Sequence, residues 1–133
     1  MTLEQSLHQR WAADERLTVL LPADRVKTGR AVGTATPYVT LLRQSSRVLL
    51  RTNAGDAIEE VVLRINVWHQ EHDAGQTLAE AVKLVFDRSG FPLSGGDRVL
   101  RMLRHDEEIV QHSDGLWQFR LDFTIQVYLA FGV

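Results

Sequence analysis

The sequence predicts an α+β fold, with a single antiparallel sheet of about four strands and helices packed on one face. Two stretches, residues 58–68 and 117–129, alternate apolar and polar side chains with the period of two that marks a strand. Between them, residues 78–86 repeat apolar side chains at helical spacing. The length of 133 residues suits one domain, residues 1–133, with one hydrophobic core.

The N-terminal segment predicts two short helices. Thr2 and Gln5 have the spacing of a capping box, in which each side chain bonds the other residue's backbone N–H. Apolar side chains then recur at i, i+4 and i+8 as Leu3, Leu7 and Trp11. Asp14 is suited to cap a second helical turn, and Pro22 ends it.

The next segment predicts a connection followed by a hairpin. Residues 24–36 are rich in Gly, Ala and Thr and indicate a connection, with a short strand near residues 25–27. Pro37 opens a strand over residues 38–42, which residues 47–51 extend or follow as a second piece. A turn at residues 53–56 then leads into the strand 58–68. One face of that strand carries Val61, Leu63, Ile65 and Val67, and the other carries Val62, Arg64, Asn66 and Trp68.

The central helix is the best-specified element of the sequence. Asp73 is predicted as its N-cap, with Gln76 at the third helical position. Its apolar face comprises Leu78, Ala81, Val82, Val85 and Phe86, and its solvent face Glu80, Lys83 and Asp87. Gly90 is predicted as the left-handed residue after the helix, followed by Pro92.

The C-terminal third predicts a second hairpin. Residues 99–112 are strand-like but interrupted by a polar run at residues 105–108, and Asp114-Gly115 is a strong signal for a two-residue hairpin loop. Residues 117–129 then alternate without a break and would span about 43 Å if fully extended. A globule of this length is only about 36 Å across. We therefore expect the last strand to bend, or to project and form an edge that pairs with a partner.

Composition narrows the classes of function. The net charge of −2 gives no general attraction to nucleic acid or anionic membranes. The cations are almost all arginines, which suits phosphate recognition but is explained as well by genome base composition. The absence of cysteine excludes disulfides and thiol chemistry. No signal peptide or membrane span is predicted, so we expect the protein to remain in a reducing cytoplasm, or in a particle assembled there, without a membrane partner.

Few residues have a pattern that suggests a catalytic or metal-binding site. His69 and His72, flanking Glu71, have the spacing of a metal pair, but a catalytic zinc needs three protein ligands and a polar loop is the simpler interpretation. The run His105-Asp106-Glu107-Glu108 offers acid and base groups, although such a run at a strand break usually forms a solvated bulge or loop. The serines lack a nucleophile-elbow context. We therefore predict no catalytic, cofactor-binding or metal-binding residues.

Large aromatic residues on the periodic segments predict core or interface anchors. Trp68 ends one strand, and Trp117 and Tyr128 lie near the two ends of another. We predict these three as candidates for an oligomer or partner interface.

Several short motifs occur in a characteristic order. They are Pro37-Tyr38-Val39, Arg64-Ile65-Asn66-Val67-Trp68, Leu78-Ala79-Glu80-Ala81-Val82, Asp114-Gly115-Leu116 and Leu121-Asp122-Phe123-Thr124-Ile125-Gln126-Val127-Tyr128. In this order the chain resembles the small tail-completion or tail-terminator proteins of long-tailed bacteriophages and their prophage relatives. Residues 24–36 lack a matching pattern.

The resemblance implies a structural virion protein, not an enzyme, with no cofactor and no shared catalytic residues. Such proteins form a ring of identical subunits, commonly a hexamer, on the head-proximal end of the tail tube. The implied partners are further copies of the chain, the tail tube protein and the head-connector or neck proteins, while DNA passes through without specific binding. The implied location is the tail or neck of a virion assembled in the bacterial cytoplasm. Two alternatives remain open: another neck subunit, such as a head-closure or stopper protein, and a host-encoded small binding domain of the same fold.

Overall fold

The computed structural model describes residues 2–31 and 33–131. In chain order the elements are α1 (Leu3–Ala13), α2 (Glu15–Thr18), a 3-10 turn (Ala23–Arg25), β1 (Val26–Thr28), β2 (Tyr38–Arg51), β3 (Ala57–His69), α3 (His72–Phe86), β4 (Ser89–Pro92), β5 (Arg98–Gln111) and β6 (Trp117–Leu129). None of the helices in these two ranges has both the length and the apolar character needed to cross a membrane.

The sheet has six strands, in the order β1-β2-β3-β6-β5-β4, and it curls into a half-barrel. It is mixed, because β1 runs parallel to β2 while the other neighbours are antiparallel. The predicted single antiparallel sheet of about four strands is therefore wrong. The four long strands were predicted, and β1 lies one residue after the short strand predicted near residues 25–27. β4, of four residues, is too short to show a period of two and was not predicted.

The last strand lies in the middle of the sheet. β6 pairs with β3 along its whole length, from Ala57 opposite Leu129 to His69 opposite Trp117. On its other side it pairs with β5 from Tyr128 to Trp117. Of the two outcomes expected for β6, bending or projecting as an edge, projection is wrong: the sheet curls, and neighbouring strands of similar length cover both sides of β6.

The helices cover one face of the sheet, which we call the helix face. On β3 this face carries the predicted set Val61, Leu63, Ile65 and Val67, all at most 1% exposed. The stripe of α1 is buried against the same core, and the indole Nε1 of Trp11 donates to the carbonyl oxygen of Leu21 at 2.9 Å. The Thr2–Gln5 capping box is confirmed, with both reciprocal hydrogen bonds formed.

Both ends of α3 differ from the prediction. The N-cap is Glu71 instead of Asp73, and it makes no side-chain capping bond. The helix begins earlier than predicted, and the ring of His72 in its first turn lies against Trp117, 4.7 Å between centroids.

After α3, the left-handed residue is Arg88, with φ of 64°, and not Gly90. Gly90 lies in β4, where an added Cβ would be 3.0 Å from the carbonyl oxygen of Leu100. The glycine is therefore required for a close strand approach and not for the end of the helix.

The polar run at residues 105–108 belongs to β5, which is continuous from Arg98 to Gln111. The pairing with β6 shifts register between Arg104 and Asp106, so His105 is the extra residue of a bulge. Of the two structures expected for this run, the bulge is the one that forms.

Candidate functional site

We call the face of the sheet opposite the helices the polar face, because polar and aromatic side chains that do not enter the core lie on it. Its members on β3 are Ile58, Glu60, Val62, Arg64, Asn66 and Trp68. Alternation within the strand fixes this set, because the intervening residues point into the core.

Trp68 lies at one end of the polar face, between two other rings. Its indole is 6.1 Å from the ring of Tyr38 and 5.5 Å from the ring of His112, both in stacked orientation. Its Nε1 donates to Oγ1 of Thr40 at 3.3 Å. The three rings form a continuous, half-exposed aromatic surface across β2, β3 and the end of the β5–β6 hairpin.

A chain of hydrogen bonds underlies this aromatic surface. Asn66 Nδ2 donates to Thr40 Oγ1 at 3.3 Å, and Gln118 Nε2 donates to Asn66 Oδ1 at 2.9 Å. Gln118 Oε1 accepts from His112 Nε2 at 2.9 Å. Thr40, Asn66 and Gln118 are at most 6% exposed. Because each amide is satisfied by a neighbour, the network holds the four side chains in fixed positions.

A shallow pocket of about 410 Å³ opens beside this network. It is lined by Gly29, Arg30, Ala31, Tyr38, Thr40, Leu42, Asn66 and Trp68. The pocket thus lies between the loop after β1 and the aromatic surface. No motif in the sequence indicated it, because its lining comes from three separate segments.

Trp117 is not part of this surface. It lies on the helix face, half-buried against the core, with the ring of His72 edge-on at 4.7 Å. Its neighbour Gln118 points to the other face, beside Trp68. Trp68 and Trp117 are therefore separated by the thickness of the sheet.

Tyr128 shares the polar face with Trp68 but lies at the other end of it. Trp68 is opposite Gln118, and Tyr128 follows ten residues later on β6, which corresponds to about 33 Å along the strand. Its hydroxyl donates to the carboxylate of Asp56 in the β2–β3 turn. This hydrogen bond raises the pKa of Tyr128 and lowers that of Asp56 from their usual values. The structure thus does not bring the three predicted interface residues together, and their role stays a prediction.

Ion pairs neutralise much of the charge on the polar face. Arg64 binds Asp122 through two hydrogen bonds of 2.9 and 3.2 Å. Arg120 lies 3.2 Å from Glu108 on β5, and Arg47 lies 3.2 Å from Glu60. These arginines face carboxylates of the same chain, so they are poorly placed to hold a phosphate backbone.

The histidines and carboxylates that the sequence suggested for metal binding or acid–base catalysis make hydrogen bonds and ion pairs within the chain. His69 Nδ1 accepts from the backbone N–H of Glu71, and burial lowers the pKa of His69. His72 Nδ1 lies 3.0 Å from Asp73 Oδ1. Among residues 2–31 and 33–131, no group of three or more His, Cys, Asp or Glu side chains is arranged to hold a metal ion. In the polar run, Glu107 and Glu108 bind Lys83 and Arg120.

Comparison with known proteins adds a family and a fold. A sequence model of the family described as tail completion protein gp17 matches residues 5–128. A chain in the virion of a native gene transfer agent particle has a similar structure, with a TM-score of 0.71, and the match covers 95% of this chain and 94% of that one. The two sequences are 18% identical, so this likeness concerns the fold alone. No curated protein matches the sequence.

Proposed function

The chain belongs to the tail completion protein gp17 family, and from this premise we propose that it forms a ring on the head-proximal end of a phage-type tail tube. The ring ends polymerisation of the tube and offers a surface to which the head binds. The observation that carries the proposal is the family match over residues 5–128, nearly the whole chain. Membership makes the protein a structural component of a virion tail, and the ring and its position are our proposal.

The proposed mechanism is geometric. Identical subunits make head-to-tail contacts that close after a fixed number of copies, and we propose six. One side of the ring matches the last layer of tube protein, and the other matches the head-connector or neck proteins. A subunit already in the closed ring offers no site for another tube subunit, so growth of the tube ends there.

The charges of the chain suit a ring through which DNA passes. The net charge is −2, and three arginines of the polar face are paired with carboxylates. These three arginines are then poorly available to bind phosphates, and we propose that this face of the sheet binds DNA in the channel only weakly. We propose no catalytic step and no cofactor for this role.

The partners follow from the same proposal. They are other copies of this chain, the tail tube protein and the head-connector proteins, which meet in the tail or neck of a virion assembled in the bacterial cytoplasm. We propose that residues 1–133 act in this assembly as one domain.

Deletion of the gene from the element that encodes it tests the role. We expect electron microscopy to show tail tubes of variable and excessive length without heads, beside separate filled heads. A plasmid copy of the gene should restore particles with normal tails. Tails of normal length beside heads that have lost their DNA would instead indicate the head-closure alternative. Particles unchanged by the deletion would contradict any neck role and favour a host binding domain.

Light scattering on the purified protein tests the ring itself. We expect a mass that rises with concentration to six times that of the protomer. A protein that stays monomeric both in solution and in the presence of purified tail tubes would contradict the ring.

A further inference from the structure

The outer side of β2 is open over most of its length. β1 pairs with β2 only from Val39 to Leu41, and residues 43–51 have no strand partner on that side within the described part of the chain. The cations of this open segment are Arg43, Arg47 and Arg51, and it contains no acidic residue. It also exposes three consecutive apolar side chains, Val48 by 46%, Leu49 by 42% and Leu50 by 56%. An open edge with exposed apolar residues tends to pair with another strand.

The opposite edge of the sheet is open in the same way. β4 covers the start of β5 as far as Met102, and Asp87 Oδ1 accepts from the backbone N–H of Arg104 at 2.9 Å. Residues 105–111 have no strand partner on that side in the ranges that the structure describes. Three carboxylates lie in this segment, Asp106, Glu107 and Glu108, with neither lysine nor arginine. The two open edges are therefore opposite in charge.

The strand directions allow these two edges to join. β2 is antiparallel to β3, β3 to β6 and β6 to β5, so β2 and β5 run in opposite directions. A second copy placed beside the first in the same orientation brings its β2 against β5 as an antiparallel neighbour. The long strands already pair in this way within the sheet.

The side chains at the middle of each edge are complementary. Arg47 and Glu108 both point to the polar face, and their side chains are 71% and 57% exposed. Within the chain, Arg47 faces Glu60 and Glu108 faces Arg120. Joining the edges at Arg47 and Glu108 gives a row of alternating charge across four strands, in the order Glu60, Arg47, Glu108 and Arg120.

The offset between the two edges is compatible with a closed ring. Through the pairing, Arg47 lies level with Gln126 of β6, and Glu108 lies level with Arg120 of β6, six residues away. This offset is about 20 Å along the strands, and the four strand spacings from one β2 to the next amount to about 19 Å. The joint therefore repeats without a rise if the strands lie about 45° from the ring axis, close to the 35–45° at which strands tilt in closed barrels.

We infer that the open edge of β2 in one copy pairs with the open edge of β5 in the next, with Arg47 opposite Glu108. This inference rests on the proposed ring and names the contact between its subunits. The contact is heterologous, because the two surfaces that meet are different. Joined in this way, a growing row of copies retains one free β2 edge at one end and one free β5 edge at the other, until the last copy closes the ring.

Introduced cysteines test the joint directly, because the natural chain has none. We expect the double variant Arg47→Cys, Glu108→Cys to give a ladder of cross-linked species from dimer to full ring under mild oxidation, seen on a non-reducing gel. A second pair, Ser45→Cys with Val110→Cys, lies on the same face and in the same register and should give the same ladder. Circular dichroism verifies that each variant folds.

The matched control is Arg47→Cys with Val19→Cys. Val19 is 80% exposed at the end of α2, outside the sheet, so this variant should give only monomer and random dimer. Ladders no stronger than this control for both cysteine pairs, at every concentration, would overturn the edge joint. If light scattering gives the mass of a ring but neither cysteine pair gives a ladder, the proposed function is retained and the subunits meet through a different contact. A ladder from a protein whose deletion leaves particles unchanged supports the joint and contradicts the tail role.

Discussion

Arg64 and Asp122 face each other across the two central strands, with Nε and Nη2 of the guanidinium 2.9 and 3.2 Å from the two carboxylate oxygens. The side chains are only 29% and 11% exposed. The hydrogen bond to Asp122 raises the pKa of Arg64 above its usual value. The pair thus links β3 to β6 on the face opposite the helices.

Replacement of Asp122 by alanine leaves the Arg64 cation without its partner in a half-buried position. We expect the free energy of unfolding to fall by about 2 kcal/mol, between the values for exposed and for fully buried pairs. Urea unfolding at low protein concentration measures it. The control is Arg47→Ala, which removes a 71% exposed partner of Glu60 and should change stability by less than about 0.5 kcal/mol. Equal losses of stability in the two variants would contradict the difference between the half-buried and the exposed ion pair.

Trp11 and Trp68 should respond differently to alanine. Trp11 is 1% exposed in the core, and its loss should cost about 3–5 kcal/mol. Trp68 is half-buried on the polar face, so we expect about 2 kcal/mol, measured by urea unfolding. If Trp68 also contacts a partner, as predicted, Trp68→Ala should lower the assembled mass in light scattering at concentrations where the variant remains folded. If the assembled mass of Trp68→Ala equals that of the wild type, Trp68 is not part of the interface.

Gly75 is a case in which the usual effect of alanine in a helix reverses. In a helix interior, alanine is normally favoured over glycine by about 1 kcal/mol. Here an added Cβ would lie 2.3 Å from Cε2 of Phe119 and 3.0 Å from Cβ of His69. We expect Gly75→Ala to destabilise the protein by about 1–3 kcal/mol in thermal or urea unfolding. The exposed Thr77→Ala on the same helix should stay within about 0.5 kcal/mol, and a stabilised Gly75→Ala would contradict the contact.

Two histidines should make stability depend on pH. Burial lowers the pKa of His69, and burial together with the charge of Lys27 lowers that of His8, from an ordinary value of 6.5. As the pH falls below this value, the unfolded chain gains protons before the folded chain does. The free energy of unfolding should therefore fall as the pH is lowered from about 7 to about 5.5.

The variant His69→Gln removes one of these groups and keeps an acceptor for the backbone N–H of Glu71. Its unfolding free energy, measured at several pH values, should have a smaller slope in that range than the wild type. An unchanged slope for both His69→Gln and His8→Gln would contradict the assignment.

Short sequence motifs predicted the features that depend only on residues close together in the chain. The capping box of α1 forms as predicted, because residues only a few positions apart determine it. The β5–β6 hairpin also forms at Asp114-Gly115, but its loop is longer than the predicted two residues, since the N–H of Gly115 donates to the carbonyl oxygen of His112 at 2.9 Å and Ser113 and Asp114 are the central residues of the turn. The start of α3 was misplaced because the packing of His72 on Trp117 lies 45 residues away in sequence. β1 was placed one residue early, at 25–27, and its parallel pairing with β2 has no local signal.

The candidate site could be predicted only in part. Alternation placed Asn66 and Trp68 on the face away from the core, and this is confirmed. Their partners could not be predicted, since Asn66 binds Thr40 and Gln118, 26 and 52 residues away. The open edges were also missed, because an edge is defined by where a neighbouring strand stops.

The central position of β6 determines when the sheet can be completed during synthesis. The ribosome makes β2, β3 and β5 first, yet β3 and β5 have no contact as neighbours until residues 117–129 have left the exit tunnel. Until then the β2–β3 hairpin has an additional open side, and the core lacks the five buried side chains that β6 supplies: Phe119, Leu121, Phe123, Ile125 and Val127. A chain truncated before β6 should therefore be recognised by chaperones and proteases as unfolded, so that only full-length subunits reach the assembling tail.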